Sequence, residues 1–245
     1  MARDPMQNAL DEHAAAYEGN SPYDLDNGIL MRWYARRVVE LTRGARAVLE
    51  LGLGHGFTAQ VFAPEFEDYT ILEGSAAVIA AFRRRCPGFR GRIVEGFFED
   101  YAPPAPFDVV IMGFVLEHVE DPEGLLRRYG RLLGPGGRLF VAVPNAASMN
   151  RRLGHLAGLL PDLLQLSQHD LDLGHRRYFT TESLREAVER AGGEVVRMEG
   201  IYLKPLTTEQ LRSLGLSPRI FEALCQLGTA YPELCCGLLA EVRFP

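Results

Sequence analysis

Lysine is almost absent: Lys204 is the only one, and arginine carries the rest of the positive charge. With 26 basic and 32 acidic residues the formal net charge is −6. That argues against a protein that tracks nucleic-acid phosphates, which would present a basic surface. Cysteine is scarce too. Cys86, Cys225, Cys235 and Cys236 form no CxxC pair, and neighbouring cysteines pair poorly with each other. This excludes a disulfide scaffold and leads to the expectation of a reduced, cytoplasmic setting. No window approaches 18 uninterrupted apolar residues, so no membrane helix and no membrane partner are expected. The stretch "MARDPMQNALDEHAAAYEGN" carries no apolar h-region, so no signal peptide is expected. His155 and His169 have weak metal-ligand spacing and no cysteine partner, which discounts a zinc site built on them.

What is present is a chain of 245 residues, 47% of them hydrophobic. That suffices for one domain with a full core, or for such a domain carrying a small lid. Strand-like and helix-like segments alternate. "RAVLELG", "YTILEGS", "GRIVEGFF", "FDVVIMG" and "GRLFVAVPN" read as buried strands. "TAQVFAPE", "AAVIAAFRRRC" and "PEGLLRRYGRLLGPGG" read as the helices between them, the last stopped by Gly134, Pro135 and a glycine pair. Such alternation implies right-handed crossovers and a parallel sheet covered on both faces. "TESLREAVERAGG" reads as a capped helix, "EVVRMEGIYLK" and "CCGLLAEVRF" as two further strands, and Thr207 to Tyr231 as a helical insertion. The expected organisation is a helical segment over 1–45, a sheet core over 46–145, a lid over 146–179 and the remainder of the core over 180–245. The 146–179 stretch is too long for an ordinary connection in an α/β unit, and insertions at that edge commonly form lids. A packed helical hairpin without functional contact is the alternative.

The first strand runs into Gly52-Leu53-Gly54-His55-Gly56-Phe57. A phosphate loop needs GxxxxGK[ST], which is missing. A dinucleotide fingerprint needs GxGxxG, and Phe57 stands where its last glycine belongs. The pattern is GxGxG preceded by Glu50, which weakens the nicotinamide reading without removing it; a simple tight turn is the other alternative. Glu73 ends the second strand, one strand-helix-strand unit later. The first two strands of a doubly wound sheet lie side by side, so both tips open on one crevice. A carboxylate there can accept two hydrogen bonds from ribose hydroxyls. A nucleoside ligand is implied.

Four blocks, "VLELGLGHGF", "YTILEGS", "GFFEDY" with "FDVVIMGFVLEHVEDP", and "LLRRYGRLLGPGGRLFVAVPN", resemble the class I S-adenosylmethionine-dependent methyltransferases in order and spacing. "LEHVEDP" looks most like the branch that methylates ubiquinone precursors, sugars and other small metabolites. The resemblance implies a Rossmann-like α/β fold: a seven-stranded, mostly parallel sheet with helices on both faces and a small helical lid. It implies S-adenosylmethionine as cofactor. Gly52, Gly54 and Gly56 would let the backbone approach its methionine part, Glu50 would hold the loop and the amino group, and Glu73 would bind the ribose. Gly74 and Ser75 would lie near the adenine edge. Many relatives carry an aspartate for the adenine amine where this chain has Phe97, so packing around Phe98 and Glu99 is expected instead. Met112 and Gly113 would line the sulfonium side. Tyr17 and Arg32 match residues that close over the cofactor in relatives.

A sulfonium donor is intrinsically activated, so the enzyme mainly aligns nucleophile, methyl carbon and sulfur. A hydroxyl acceptor of high pKa also wants a general base, and histidine titrates near working pH. His118, just after the fourth strand, and His175, where the lid rejoins the core beside Arg176, Arg177 and Tyr178, are the catalytic candidates. A structural role for each is the alternative. Related ubiquinone-type enzymes look as if they hold a divalent metal with Glu-x-x-Glu-His. Here Phe114 replaces the first carboxylate before Glu117 and His118, so no metal is expected. The expected reaction is O-methylation of a small metabolite or sugar-bearing intermediate. N- or C-methylation, a nicotinamide-dependent oxidoreductase and a non-catalytic cofactor-binding subunit are the alternatives.

Overall fold

The computed structural model describes residues 24–245; Tyr17 lies outside the described residues. Seven strands form one sheet in the order β3-β2-β1-β4-β5-β7-β6. They are β1 Ala47–Leu51, β2 Asp68–Glu73, β3 Arg92–Glu95, β4 Phe107–Gly113, β5 Leu133–Pro144, β6 Glu194–Ile201 and β7 Gly237–Arg243. Pairing is parallel from β3 through β5. Only β7 is reversed, running antiparallel to both β5 and β6. This is the expected mostly parallel, Rossmann-like sheet.

Alternate residues of the buried strands feed two apolar layers, as a period of two requires. Val48, Ile71, Ile111 and Phe140 pack with Tyr34, Ala35 and Val38 of α1 (Asp24–Leu41), Phe62 of α2 (Phe57–Phe62) and Ile79 and Phe82 of α3 (Ala76–Arg85). Leu49, Val110, Met112 and Val141 face the other way, against Leu126 and Tyr129 of α4 (Pro122–Gly130) and Leu184 and Val188 of α7 (Thr181–Arg190). Helix starts follow capping chemistry. Asp121 Oδ1 accepts from Gly124 N at 2.8 Å with Pro122 in the first turn, and Thr180 with Ser183 makes a reciprocal box.

Two elements are shorter than their sequence patterns. α4 ends at Gly130 rather than Gly134, because Leu133 pairs with Phe107 and joins β5. Sheet pairing overrides a helical pattern at that point. β3 stops at Glu95, where Gly96 N donates to Glu73 O at 3.0 Å and the chain turns away.

The chain moves outward from β1 to β3, then returns to β4 beside β1. At this reversal the connections after β1 and β4 diverge to opposite faces and leave a crevice at the strand tips. Residues of α5 (Met149–Leu156) and α6 (Gln168–Asp172) of the 146–179 segment, and of α8 (Thr208–Ser213) of the later insertion, line this crevice, while α9 (Pro218–Gly228) packs on the first apolar layer through Phe221, Leu224 and Cys225. α5 buries none of its residues. Arg151 closes its loop by donating to Leu163 O at 2.8 Å and Gln165 O at 2.6 Å while its guanidinium lies 4.3 Å from the Tyr178 ring centroid. The segment is pinned at its return, where Ala146 N donates to Phe179 O at 2.8 Å and Phe179 N to Pro144 O at 3.2 Å.

Candidate functional site

One cavity of about 640 Å³ runs along the crevice and is lined by the glycine loop, Glu73, α1, the β4 tip and the 146–179 segment. Its size lies within the range of sites that enclose small ligands.

The loop after β1 bends through three left-handed glycines, with φ of 81° at Gly52, 46° at Gly54 and 73° at Gly56. Only glycine adopts this series without strain. At Gly56 space is also limiting: a Cβ there would lie 2.5 Å from two carbons of the Phe82 ring. Glu73 joins this loop to the next. Its Oε2 accepts from Leu53 N at 2.8 Å and its Oε1 from Ser75 N at 2.7 Å. Burial nevertheless raises its pKa against those bonds. Ser75 caps α3, its Oγ accepting from Val78 N at 3.2 Å. Gly74 lies between these two anchors and is not in the lining.

Glu50 is buried beneath the loop, where Tyr69 donates its hydroxyl to Oε2. Burial pushes its pKa up to about 7, against the opposing bonds from Thr58 and Tyr69. Tyr34 lies fully buried on the same wall and abuts Gly113 so closely that a Cβ there would collide with its hydroxyl. Phe98 lines the cavity, and its carbonyl accepts from Tyr129 Oη at 2.9 Å.

Three expected contacts take other positions. Glu99 is exposed and outside the lining. Met112 is buried in the second apolar layer, because it alternates away from Ile111, so Gly113 alone lines the β4 tip. Arg32 is exposed and outside the lining, with its guanidinium 4.6 Å from the ring centroid of the cavity residue Phe57.

Farther along the cavity, the end of the 146–179 segment docks on the β4–α4 connection. Arg176 N donates to Glu117 O at 2.8 Å, and Arg177 Nη1 to Val119 O at 2.8 Å. These bonds bring His175 beside His118, their rings edge-to-face with centroids 4.7 Å apart. One donor atom from each of Glu117, His118 and His175 falls within 4.8 Å of the others. Glu117 is fully buried, and neither carboxylate oxygen has a hydrogen-bond partner among the described residues. Burial drives its pKa to about 7, opposed chiefly by the charge of His175.

His175 Nδ1 lies 3.1 Å from Asp170 Oδ1. Asp170 Oδ2 in turn accepts from Ser167 N and Tyr178 Oη, both at 2.7 Å. Burial would raise the Asp170 carboxyl, but bonds from His175, Ser167 and Tyr178 hold it well below the usual range. Of the arginines beside His175, Arg176 lines the cavity and pairs with Glu120 at 3.1 Å, and Arg177 bonds main-chain carbonyls. Phe114, at the position of the missing carboxylate, takes a left-handed φ of 58° and sets its ring 5.9 Å from that of Tyr34.

Beyond this cluster the cavity meets Lys204, whose Nζ donates to Asp26 Oδ2 at 2.6 Å and Thr208 Oγ1 at 2.9 Å. Asp170, Tyr34, Asp26 and Lys204 line the cavity as well, without having been expected there from the sequence. Only Asp170 had a local signal: Ser167-x-x-Asp170 is a capping-box pattern, and the box forms.

A methyltransferase-domain family model matches residues 26–198, well over half of the chain. The ubiquinone biosynthesis O-methyltransferase of Aeromonas salmonicida (strain A449) is 27% identical over 171 residues, covering 67% of this chain and 69% of that protein. The trans-aconitate 2-methyltransferase of Acidovorax sp. (strain JS42) is 30% identical over 133 residues, covering 50% of this chain and 51% of that protein. The chain thus spans from about half to about two thirds of these relatives' length. Among solved structures, the N-methyltransferase NodS from Bradyrhizobium japonicum WM9, in complex with S-adenosyl-L-homocysteine, aligns over 99% of this chain and 100% of its own, with a TM-score of 0.60 at 16% identity. That likeness is one of fold. Together with the family match across the glycine loop, Glu73 and the β4 tip, it makes this chain a member of the class I S-adenosylmethionine-dependent methyltransferases.

Proposed function

We propose that this methyltransferase transfers the methyl group of S-adenosylmethionine to a hydroxyl oxygen of a small metabolite, sugar-bearing metabolites included. The observation that carries the reading is the Glu117–His118–His175 cluster on the wall of the same cavity that the glycine loop lines. Sulfonium chemistry needs no such group when the acceptor is already a good nucleophile; a hydroxyl acceptor needs help losing its proton. Both named sequence relatives, a ubiquinone biosynthesis O-methyltransferase and a trans-aconitate 2-methyltransferase, support a small acceptor.

In this reading Gly52, Gly54 and Gly56 admit the methionine part of the cofactor against bare backbone. Glu50 receives its amino group. Glu73, held by the amides of Leu53 and Ser75, offers its carboxylate to the ribose hydroxyls. Ser75 and Phe98 border the adenine. The acceptor oxygen forms its bond to the methyl carbon as the carbon–sulfur bond breaks and its electron pair passes to sulfur. The hydroxyl proton leaves to the imidazole cluster. Asp170 fixes the orientation of His175 through Nδ1, as a carboxylate behind a histidine does. Residues 146–179 act as the lid that selects the acceptor, and α1 covers the cofactor through Asn27, Leu30 and Met31. Four free cysteines fit a reducing compartment, and no helix among the described residues is long and apolar enough to cross a membrane.

The test is release of S-adenosylhomocysteine from S-adenosylmethionine over a panel of phenols, hydroxy acids, glycosides and amines. Turnover is expected with hydroxyl acceptors. Turnover confined to amines would overturn the reading.

A further inference from the structure

We infer that Lys204, Asp26 and Thr208 form a second recognition point in the cavity, which holds an uncharged hydroxyl of the acceptor apart from its reacting atom. The acceptor is then a polyol or glycoside that carries neither an ammonium nor a carboxylate at that position. This deepens the reading above. It rests on that reading's placing the acceptor in this cavity, but not on oxygen being the atom methylated.

Position is the first observation. Lys204 stands three residues beyond the end of β6, and Cys236, the residue before β7, lines the same cavity. β7 and β6 follow β5 in the sheet, on the opposite side of β4 from β1 and β2. The glycine loop and Glu73 belong to β1 and β2, so Lys204 marks the other end of the cavity from the cofactor half. α1 supplies Asp26 to that end from its first turn.

The second observation is what these groups leave unsatisfied. Lys204 is the chain's only lysine, and it is 7% exposed; Asp26 and Thr208 are buried as deeply, at 5% and 6%. Lys204 Nζ donates to Asp26 Oδ2 at 2.6 Å and to Thr208 Oγ1 at 2.9 Å, and Thr208 donates its hydroxyl to the same carboxylate oxygen. An ammonium has three N–H groups, so one is left over. Asp26 Oδ1 is buried with no hydrogen-bond partner among the described residues. An ion pair kept only for packing would have these positions filled, because an orphaned carboxylate oxygen in a low dielectric is costly. All three residues line the cavity, so a ligand there can supply the missing partners.

The leftover groups select the ligand. They are one donor and one acceptor, on side chains whose charges cancel. A hydroxyl accepts and donates through one atom and so satisfies both. A carboxylate would accept from Lys204 but face Asp26 with like charge. An ammonium would donate to Asp26 but meet Lys204 with like charge. A hydrocarbon would leave both groups unmet after taking away their water.

The experiment uses the full chain saturated with S-adenosylhomocysteine and reads binding by saturation-transfer NMR titration, without turnover. The probes are the methyl pyranosides of glucose, galactose and mannose, with their monodeoxy and aminodeoxy analogues. At least one pyranoside should bind saturably. Removing one particular hydroxyl from it, or replacing that hydroxyl with an amine, should weaken binding by at least about tenfold, since a site built to hydrogen-bond a hydroxyl rejects the analogue that lacks it. Asp26→Asn should abolish that discrimination, whereas His175→Ala should keep it, which separates this hydroxyl from the reacting one. Asp26→Asn also leaves Lys204 a lone cation, so acetate should compete with the pyranoside in the variant and not in the wild type. A purely structural role for the pair would produce neither change. The S-adenosylhomocysteine affinity of the variant should match the wild type and shows that it is folded; Thr208→Val, which opens the same ring of bonds, takes its place if it is not. The proposal is overturned if no pyranoside binds saturably, or if every monodeoxy analogue binds as its parent does. It is equally overturned if discrimination survives in the folded variant, or if cofactor affinity falls as far as pyranoside affinity, which would put the pair on the cofactor. Turnover confined to amines would overturn the choice of oxygen above and leave these titrations standing. A flat monodeoxy series would leave methyl transfer to phenols standing.

Discussion

Replacing Glu73 with alanine separates its two jobs. In the folded chain each carboxylate oxygen already accepts one backbone N–H, from Leu53 at 2.8 Å and Ser75 at 2.7 Å. The amides of Gly54 and Gly74 also bear on this carboxylate, so ribose hydroxyls would share its roughly four acceptor positions with the loop. Hydrogen bonds to a charged group contribute about 1.5–3 kcal/mol, and part of that is offset by the desolvation that raises the Glu73 pKa. A net loss of roughly 1.5–3 kcal/mol in cofactor binding follows, or about 10- to 150-fold in affinity. Leu53 and Ser75 are both nearly fully buried, so their orphaned N–H groups should also lower stability, by about 1–3 kcal/mol each. Calorimetric titration with S-adenosylhomocysteine reads the first loss, and denaturant unfolding of the unliganded chain the second. Glu73→Gln keeps one accepting oxygen and should fall between wild type and Glu73→Ala on both. Unchanged affinity in a folded Glu73→Ala protein would refute the ribose assignment, and unchanged stability would refute the part played by the loop bonds.

His175→Ala should lower turnover by about 10²–10⁴-fold while S-adenosylhomocysteine affinity holds; equal losses in both would mark a structural residue. Gly56→Ala places a Cβ against Phe82 at a φ of 73°, and should cost about 2–4 kcal/mol of stability by denaturant unfolding, together with cofactor affinity. Lys204→Met leaves Asp26 buried without its cation and should cost about 3–5 kcal/mol in the same assay. The pKa of Glu50 is about 7 in the folded chain, against an ordinary value of 4.5. Between those pH values the folded chain keeps a proton that the unfolded chain has released. Its stabilising contribution is therefore full below about 4.5 and lost as pH rises through about 7, amounting to at most about 3 kcal/mol. Glu117 titrates in the same window, so Glu50→Gln should reduce the fall of stability with pH rather than abolish it.

The sheet was legible because its signals are local: buried runs for β1, β2 and β4, and glycines or a carboxylate at their tips. α4 was misjudged at its end because pairing of Leu133 with Phe107 is a contact between distant parts of the chain. The GxGxG spacing and Glu73 pointed to a loop and a strand tip that do line one cavity. Met112 and Glu99 did not follow, since position at a strand tip does not fix the direction of a side chain. The acceptor half was legible only in pieces. His118 and His175 stood out singly, but the bond from Arg176 N to Glu117 O that joins them has no sequence signature. Phe114 leaves a gap in the carboxylate string before Glu117 and His118. The fold brings His175 to that cluster from the other side.

The account turns on which way the cofactor lies in the cavity, and a crystal structure with S-adenosylhomocysteine bound tests that most directly. It should show the ribose hydroxyls on Glu73, the adenine beside Ser75 and Phe98, and the sulfur facing past Gly113 toward His118 and His175. A sulfur turned away from that cluster, or a ribose without contact to Glu73, would contradict it.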